Sequence, residues 1–394
     1  MPVLLPYLYR RGFDLSTPNS EFLDQWTNPS DIFTALLILG GDGGEMVAKS
    51  VAQLAGRGLV PVAFSIGWVV FAVKSALSAL AGNDLMPEAD SKCIVINGKS
   101  GYVQENRSWL VGRLWRDFNR WMDPAVRAHL DAMLERKFDH EKALAERMVP
   151  GSGSRVLRRT SVGLCIAVYQ AGPTSRSFAG RDLLYYVGFV VCILQLGIAA
   201  IPLGIFGDWS IFLVTTSGII LSFATCSISR WADEKWACRV GTRKSILLSR
   251  GNGSQFVILI LGEEEGFDLE DLAAGGGSQV THLTQLQLLV LASLWIVLLI
   301  TATGIKQHTW FLFAVCAVGV FQNIYVAITW RSPDAYGMPL KFKEVIGLPK
   351  VMDTLFEVEE RYPSVGLSMR DIFFPGKLSL MEEQRWDSLR AAAK

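Results

Sequence analysis

The chain has 394 residues, half of them hydrophobic and only 19% charged, with a formal net charge of +1. Soluble proteins average about 25% charged residues, so this balance belongs to a chain that spends apolar residues on a bilayer. The near-zero net charge gives no electrostatic basis for a nucleic-acid partner. The six cysteines have no metal-ligand or redox-motif spacing, so no disulfide framework, zinc site or other cofactor is expected.

In chain order, MPVLLPYLYRRGF is too short for a signal-peptide core and carries its arginines after the apolar stretch, so insertion falls to a true membrane helix. A spanning helix needs roughly 20 mainly apolar residues. The first candidate span is 31–55, apolar for two turns and then polar on one side. The second is 60–82, which carries Lys74. A polar segment, 84–183, follows. It holds a strand at 93–96, a turn at Asn97-Gly98, an amphipathic helix over 106–122, charged helical stretches over 124–147 and a strand over 162–169. Spans at 184–206 and 210–229 form one hairpin. The segment 230–283 brings a basic stretch, a strand at 255–261 and a GGGS linker. Spans at 284–303 and 309–330 form another hairpin, and the tail after Trp330 reads as helical over 340–361.

This pattern predicts an all-α integral membrane bundle of about six helices in three hairpins, with small mixed α/β cytosolic segments. The divisions are 1–83, 84–183, 184–229, 230–283, 284–330 and 331–394. Basic residues cluster beside the long segments (Arg176, Arg181, Arg230, Lys235, Arg239, Arg331), while the short loops carry only Arg57 and Lys306. By the positive-inside rule both termini and the long segments face the cytosol, as expected for an endoplasmic-reticulum membrane protein.

Motifs for soluble catalysis are absent: there is no G-x-S-x-G, no H-E-x-x-H and no aspartate-rich diphosphate-ionising cluster. INGKSG (96–101) resembles the end of a phosphate loop but has Cys93 where the first glycine belongs, and reads as a tight turn. RGNGSQ (250–255) is a second Gly-rich turn before a strand. The most informative stretch is 31–55. At 100° per residue, Asp31, Asp42, Glu45, Lys49 and Gln53 share one stripe, with Asp42 about 17 Å along a helix, near mid-membrane. Ionisable groups there are costly and face a bundle interior or cavity. Glu45 and Lys49 can neutralise each other at i,i+4, whereas Asp42 has no such neighbour. Gly40, Gly41, Gly43 and Gly44 permit close helix approach. Gln195, Gln322 and Asn323 interrupt apolar runs and are expected to face inward. Trp68, Trp209 and Tyr325 lie near membrane boundaries, as interfacial anchors or as the lining of a cavity.

WTNPSD (26–31), LLILGGD (36–42), INGKSGY (96–102), IAAIPLGIFGDW (198–209), EKWACR (234–239) and RGNGSQ (250–255) resemble a widespread group of fungal membrane proteins. That group includes membrane-bound terpene cyclases of meroterpenoid secondary metabolism, of the ascofuranone and macrophorin type. The resemblance covers residues 1 to about 330 and carries no firm catalytic motif. It implies acid-initiated cyclisation of a prenylated aromatic, through a terminal olefin or epoxide, without loss of diphosphate. Such chemistry needs a protonated carboxyl in an apolar pocket and aromatic faces for the cation. Asp42 is then the first candidate acid, followed by Asp31, Glu45 and Asp208. Trp68, Gln195, Trp209, Gln322, Asn323 and Tyr325 are the candidate substrate-binding residues. The partners implied are the bilayer, a hydrophobic prenylated small molecule and other enzymes of its pathway. A membrane transporter and a non-catalytic scaffold are the competing readings.

Overall fold

The computed structural model describes residues 43–56, 58–148, 163–174, 180–275 and 280–392. Its elements begin with α1 (Gly43–Leu54), α2 (Gly67–Leu80), β1 (Ile94–Asn97), β2 (Val103–Glu105), α3 (Trp109–Trp121), α4 (Pro124–Met148) and β3 (Leu164–Ala171). The middle of the chain forms α5 (Leu183–Phe206), α6 (Ser210–Cys226), α7 (Arg230–Lys235), β4 (Val240–Thr242), β5 (Ser245–Ser249), β6 (Phe256–Leu261), β7 (Gly266–Phe267) and α8 (Leu269–Ala274). The last third gives α9 (His282–Thr303), α10 (Thr309–Ile328), β8 (Leu340–Leu348), α11 (Val351–Arg361), α12 (Val365–Phe373) and α13 (Leu380–Ala392).

Helices α5, α9 and α10 are long and apolar enough to cross a membrane; α6, at 17 residues, is shorter. The tight loop after α5 makes an antiparallel pair of α5 with α6, as the sequence predicts, but the second expected hairpin is corrected: α9 packs on α2 and α6, and α10 on α1 and α5, rather than on each other. Gly207 ends α5 in the left-handed conformation at φ 69°, which lets the chain reverse at once. The outward faces stay apolar and bare: Ile193, Ile300 and Phe321 are each about two-thirds exposed (69%, 65% and 71%). Such a surface is stable only against lipid or a partner. The sheet described below sits at one end of this bundle, here called the domain end.

The stretch 60–82 departs from expectation. It is helical only from Gly67, and α2 has 14 residues, roughly 21 Å of helix. Residues 60–66 form neither helix nor strand and are buried inside the bundle. Their depth follows from their partners. The Tyr185 hydroxyl, at the domain end of α5, donates to the Leu59 carbonyl at 3.0 Å. Further in, Ala63 N–H donates to the Gln322 side chain and Phe64 N–H to that of Gln195. The chain turns at Ile66–Gly67, and α2 then runs back until the Ala79 carbonyl meets the Gln285 amide at the domain end of α9. This segment therefore enters and leaves on one side, and the expected second span is corrected to a re-entrant loop. Hydropathy could not separate the two, because VPVAFSI is equally apolar extended or helical. Backbone without helix or sheet bonds survives at membrane depth only when protein groups satisfy it, which is what Gln195 and Gln322 do. Only Gly43–Leu54 of the expected span 31–55 falls among the described residues. It lies parallel to α2, with Gly43 against Gly67.

A side-chain carbon added to Gly44 would lie 2.9 Å from Val70 Cγ1 and 3.2 Å from its Cβ. Gly44→Leu is therefore expected to destabilise the protein by roughly 1–3 kcal/mol through overpacking. Thermal unfolding in detergent checks this, and an unchanged midpoint would contradict the α1–α2 contact.

The polar segments do not form separate small units. Strands from three of them build one six-stranded sheet in the order β2-β1-β5-β6-β3-β8, antiparallel except for β3 beside β6. LCIAVY and FVILIL read as unbroken apolar runs because both faces are covered. Cys165, Ala167, Ile258 and Ile260 pack towards α3 and α8, while Ile166, Val168, Val257 and Leu259 pack under α11–α13. The tail expected to be helical over 340–361 begins instead with β8, which pairs with β3 along its length; helix starts only at Val351. INGKSG is the hairpin turn between β1 and β2. The Asn97 side chain accepts from the N–H groups of Lys99 and Ser100, and no helix follows to make a phosphate loop.

Candidate functional site

The loop from Asn83 to Asp90 separates two clefts where bundle and sheet domain meet. One side of this loop is stapled by Glu234 of α7. Its carboxylate accepts from the N–H groups of Leu85 and Met86, at 2.8 and 3.0 Å, and from Arg230 at 2.7 Å. Burial raises the Glu234 pKa against the pull of Arg230 and the two N–H donors. The other end is fixed by Asp90, which meets Arg113 at 2.8 Å, Lys49 at 3.4 Å and Arg116 at 3.5 Å.

The first cleft, about 600 Å³, lies between this loop, α1 and α2. Phe71, Ala48, Leu85 and Met86 give it an apolar floor, and Glu45, Lys49, Lys74, Asp84 and Glu88 line its polar walls. The second, about 640 Å³, lies on the opposite side of the loop towards α3 and α7. Among the described residues no three His, Cys, Asp or Glu side chains converge as a metal site.

The clefts rest on a buried cationic junction. Lys235 is almost fully buried and donates to the carbonyls of Gln53 and Ala55, at 3.2 and 2.9 Å, at the C-terminal end of α1. Arg331 donates to the same Gln53 carbonyl at 2.7 Å and pairs with Asp182 at 2.8 Å. Arg113 likewise donates to the Ala327 carbonyl at the end of α10. All three bring N–H donors to carbonyls left without partners where helices end. Burial, with Arg331 and Arg113 nearby, pushes the Lys235 ammonium well below the ordinary lysine range. Trp236 and Tyr336 present ring faces to it at 4.9 and 5.5 Å. The sequence offered only fragments of this junction: Gln53 on the polar stripe, and EKWACR. Its three cations come from segments far apart in the chain.

The expected site residues are distributed as follows. Asp42 and Asp31 lie outside the described residues; Gly43, next after Asp42, sits where α1 meets α2. Glu45 lines the first cleft, where it accepts from Lys49 at 2.7 Å as its ion-pair partner. Asp208 is at the opposite end of the bundle, joined to Ser210 and, at 3.2 Å, to His308. The structure thus does not bring Glu45 and Asp208 together. Trp68 is packed between Phe71 and Trp295 and donates to the Ala63 carbonyl. Gln195, Gln322 and Asn323 face inward as expected, but their contacts are the re-entrant segment: Asn323 reaches the Ser65 hydroxyl at 2.9 Å. Trp209 and Tyr325 point outward, 63% and 46% exposed, and line neither of the two clefts.

The Asp208 pKa is lowered, first by Ser210 and then by His308. A lowered folded-state value contributes stability above the unfolded carboxylate pKa of about 4, lost as pH falls through the folded value. The pair is partly exposed, so the contribution is at most about 1 kcal/mol. Asp208→Asn should therefore lower stability by up to about 1 kcal/mol at neutral pH and by progressively less as pH falls below about 4, where the parent loses the same contribution; melting experiments across this range check it.

Comparison of the chain with protein-family models, with curated proteins and with solved structures finds no match in any of the three.

Proposed function

We propose that the protein is a membrane-embedded enzyme that takes a lipid-like substrate in the first cleft and cyclises it by proton addition, the substrate being a prenylated aromatic with a terminal olefin or epoxide. The observation that carries the reading is the cleft's composition: an apolar floor continuous with the bundle, beneath carboxyl and ammonium groups, at the boundary where an amphiphile would lie. The resemblance of the sequence motifs supports the reaction class. Glu45 is engaged by Lys49, so the proton falls to Asp42, the residue preceding Gly43. The domain end faces the cytosol in this reading, following the basic residues of the long segments, and the membrane is that of the endoplasmic reticulum.

The test is conversion of a panel of prenylated phenols and their epoxides by membranes containing the protein, followed by mass analysis for products of unchanged mass. Asp42→Asn keeps shape and hydrogen bonding but has no acidic proton, and should lower the rate by at least roughly 100-fold. A wild-type rate in Asp42→Asn would remove that residue from the mechanism. No conversion by the unaltered protein would remove the reaction class.

A transport reading has one observation in its favour, the re-entrant segment, since carriers use broken helices at substrate sites. Against it, Phe64, Trp68 and Trp295 stack across the bundle interior, with Trp68 and Trp295 centroids 5.5 Å apart, and fill the path such a reading needs.

A further inference from the structure

A third cavity, about 360 Å³, lies in the sheet domain between α3 and the turn joining β5 to β6. The turn is RGNGSQ (250–255), which the proposed reaction leaves unused. Gly251 and Gly253 both adopt positive φ, 88° and 85°, a fold-back that glycine makes without strain and that turns backbone N–H groups outward. The Gly251 N–H is taken by the Ser249 hydroxyl and that of Ser254 by the Gly251 carbonyl. Among the described residues no acceptor takes the N–H of Asn252 or Gly253.

Charge is supplied by two arginines. Arg250 is exposed and makes one long contact, 3.4 Å, to the Ser91 hydroxyl; no carboxylate among the described residues pairs with it. Arg116, also lining the cavity, is held by Asp117 at 2.7 Å and by Asp90. It also reaches the Ile328 carbonyl at the end of α10, so the cavity lies beside the domain end of the bundle. Trp115 and Phe256 supply apolar walls.

We propose that this cavity binds a phosphate monoester, gripped by Arg250 and the N–H groups of Asn252 and Gly253. Donors converging from several directions suit a tetrahedral anion with three free oxygens better than a planar carboxylate. A phosphate-bearing solute and an anionic lipid headgroup share this chemistry. The site is separate from the boundary cleft, and its test does not depend on the cyclisation.

The test uses the full chain in nanodiscs, read by thermal unfolding. In one arm neutral phosphatidylcholine discs are titrated with inorganic phosphate; in the other, phosphatidic acid replaces part of the lipid. Stabilisation by phosphate in neutral discs identifies a solute site, and stabilisation only with phosphatidic acid identifies a headgroup site. Either response should weaken at least about tenfold in apparent affinity in Arg250→Gln, as expected for loss of a charge-assisted bond. It should be unchanged in Arg243→Gln, an exposed arginine that pairs with Glu264 elsewhere on the domain. Both variants should melt like the parent without ligand. No response in either arm, or equal weakening in the two variants, overturns the proposal.

Discussion

Gly319→Ala is expected to destabilise the protein by roughly 3 kcal/mol or more, beyond the usual overpacking range, because nothing near the site can give way. The added carbon would lie 1.7 Å from the Phe64 carbonyl oxygen and 2.9 Å from the Gln195 side-chain nitrogen. Both belong to the clamp that seats the re-entrant segment. Relief would require moving that segment out of α10, and with it the Phe64 ring, which packs directly on Gly218 of α6. Gly188 of α5 is in the same position: an added carbon there would lie 2.0 Å from the Pro61 carbonyl. The matching controls are Gly197 and Gly204, also in α5, where an added carbon meets nothing within 4 Å. Their alanine variants should stay within about 0.5 kcal/mol of the parent. Melting all four in one detergent separates a specific contact from a general intolerance of membrane helices to larger residues. Equal melting of Gly319→Ala and Gly197→Ala would contradict the packing.

Gln195→Leu is the second large effect. The Gln195 side chain accepts from Phe64 N–H at 3.3 Å and donates to the carbonyls of Phe64 and Val315, at 2.7 and 2.9 Å. Leucine has a similar volume, so the change removes hydrogen bonding more than packing. The Phe64 N–H and carbonyl would be stranded in an apolar interior, each at a cost of about 1–3 kcal/mol. A loss of about 2–6 kcal/mol is expected, enough to deplete the folded fraction of a protein of ordinary stability. It should appear as a lowered melting temperature and as aggregation on size-exclusion chromatography. Trp209→Ala, on the exposed rim, should do neither. If Gln195 served substrate binding alone, Gln195→Leu would lose activity while melting normally.

Much of this architecture is visible in the sequence, and the reasons for the exceptions are physical. Hydropathy locates α5, α6, α9 and α10 because bilayer thickness and apolar run length measure the same quantity. It finds β3 and β6 because a strand buried on both faces is a short apolar run between turn signals. It fails at 60–66, where burial alone sets the composition and only Pro61 hints at broken helix. It fails again at LKFKEVIGL, whose alternating lysines and apolar residues fit a strand, although its charge spacing also fits a helix. Gln195, Gln322 and Asn323 are recognisable as inward polar groups, but a side chain does not announce what it will bond. A backbone segment 131 residues away from Gln195 in the chain was not foreseeable as the partner. The junction of Arg113, Lys235 and Arg331 is less legible still, since each residue alone reads as a positive-inside charge. Their shared role emerges only when α1 ends between them.

Leu59 and the end of α2 lie on the side of the bundle that carries the sheet. Single cysteines at Leu59, Asn83 and Lys306 test it, each exposed, in a background where Cys238, the native cysteine that is not buried, is replaced by serine. Sealed membrane vesicles are treated with a membrane-impermeant maleimide before and after permeabilisation. Leu59→Cys and Asn83→Cys should label from the same side as a cysteine placed at Lys377 in the tail, and Lys306→Cys only from the other. Labelling of Leu59→Cys together with Lys306→Cys, and apart from Asn83→Cys, would mean that 60–82 crosses the membrane and would contradict the re-entrant loop.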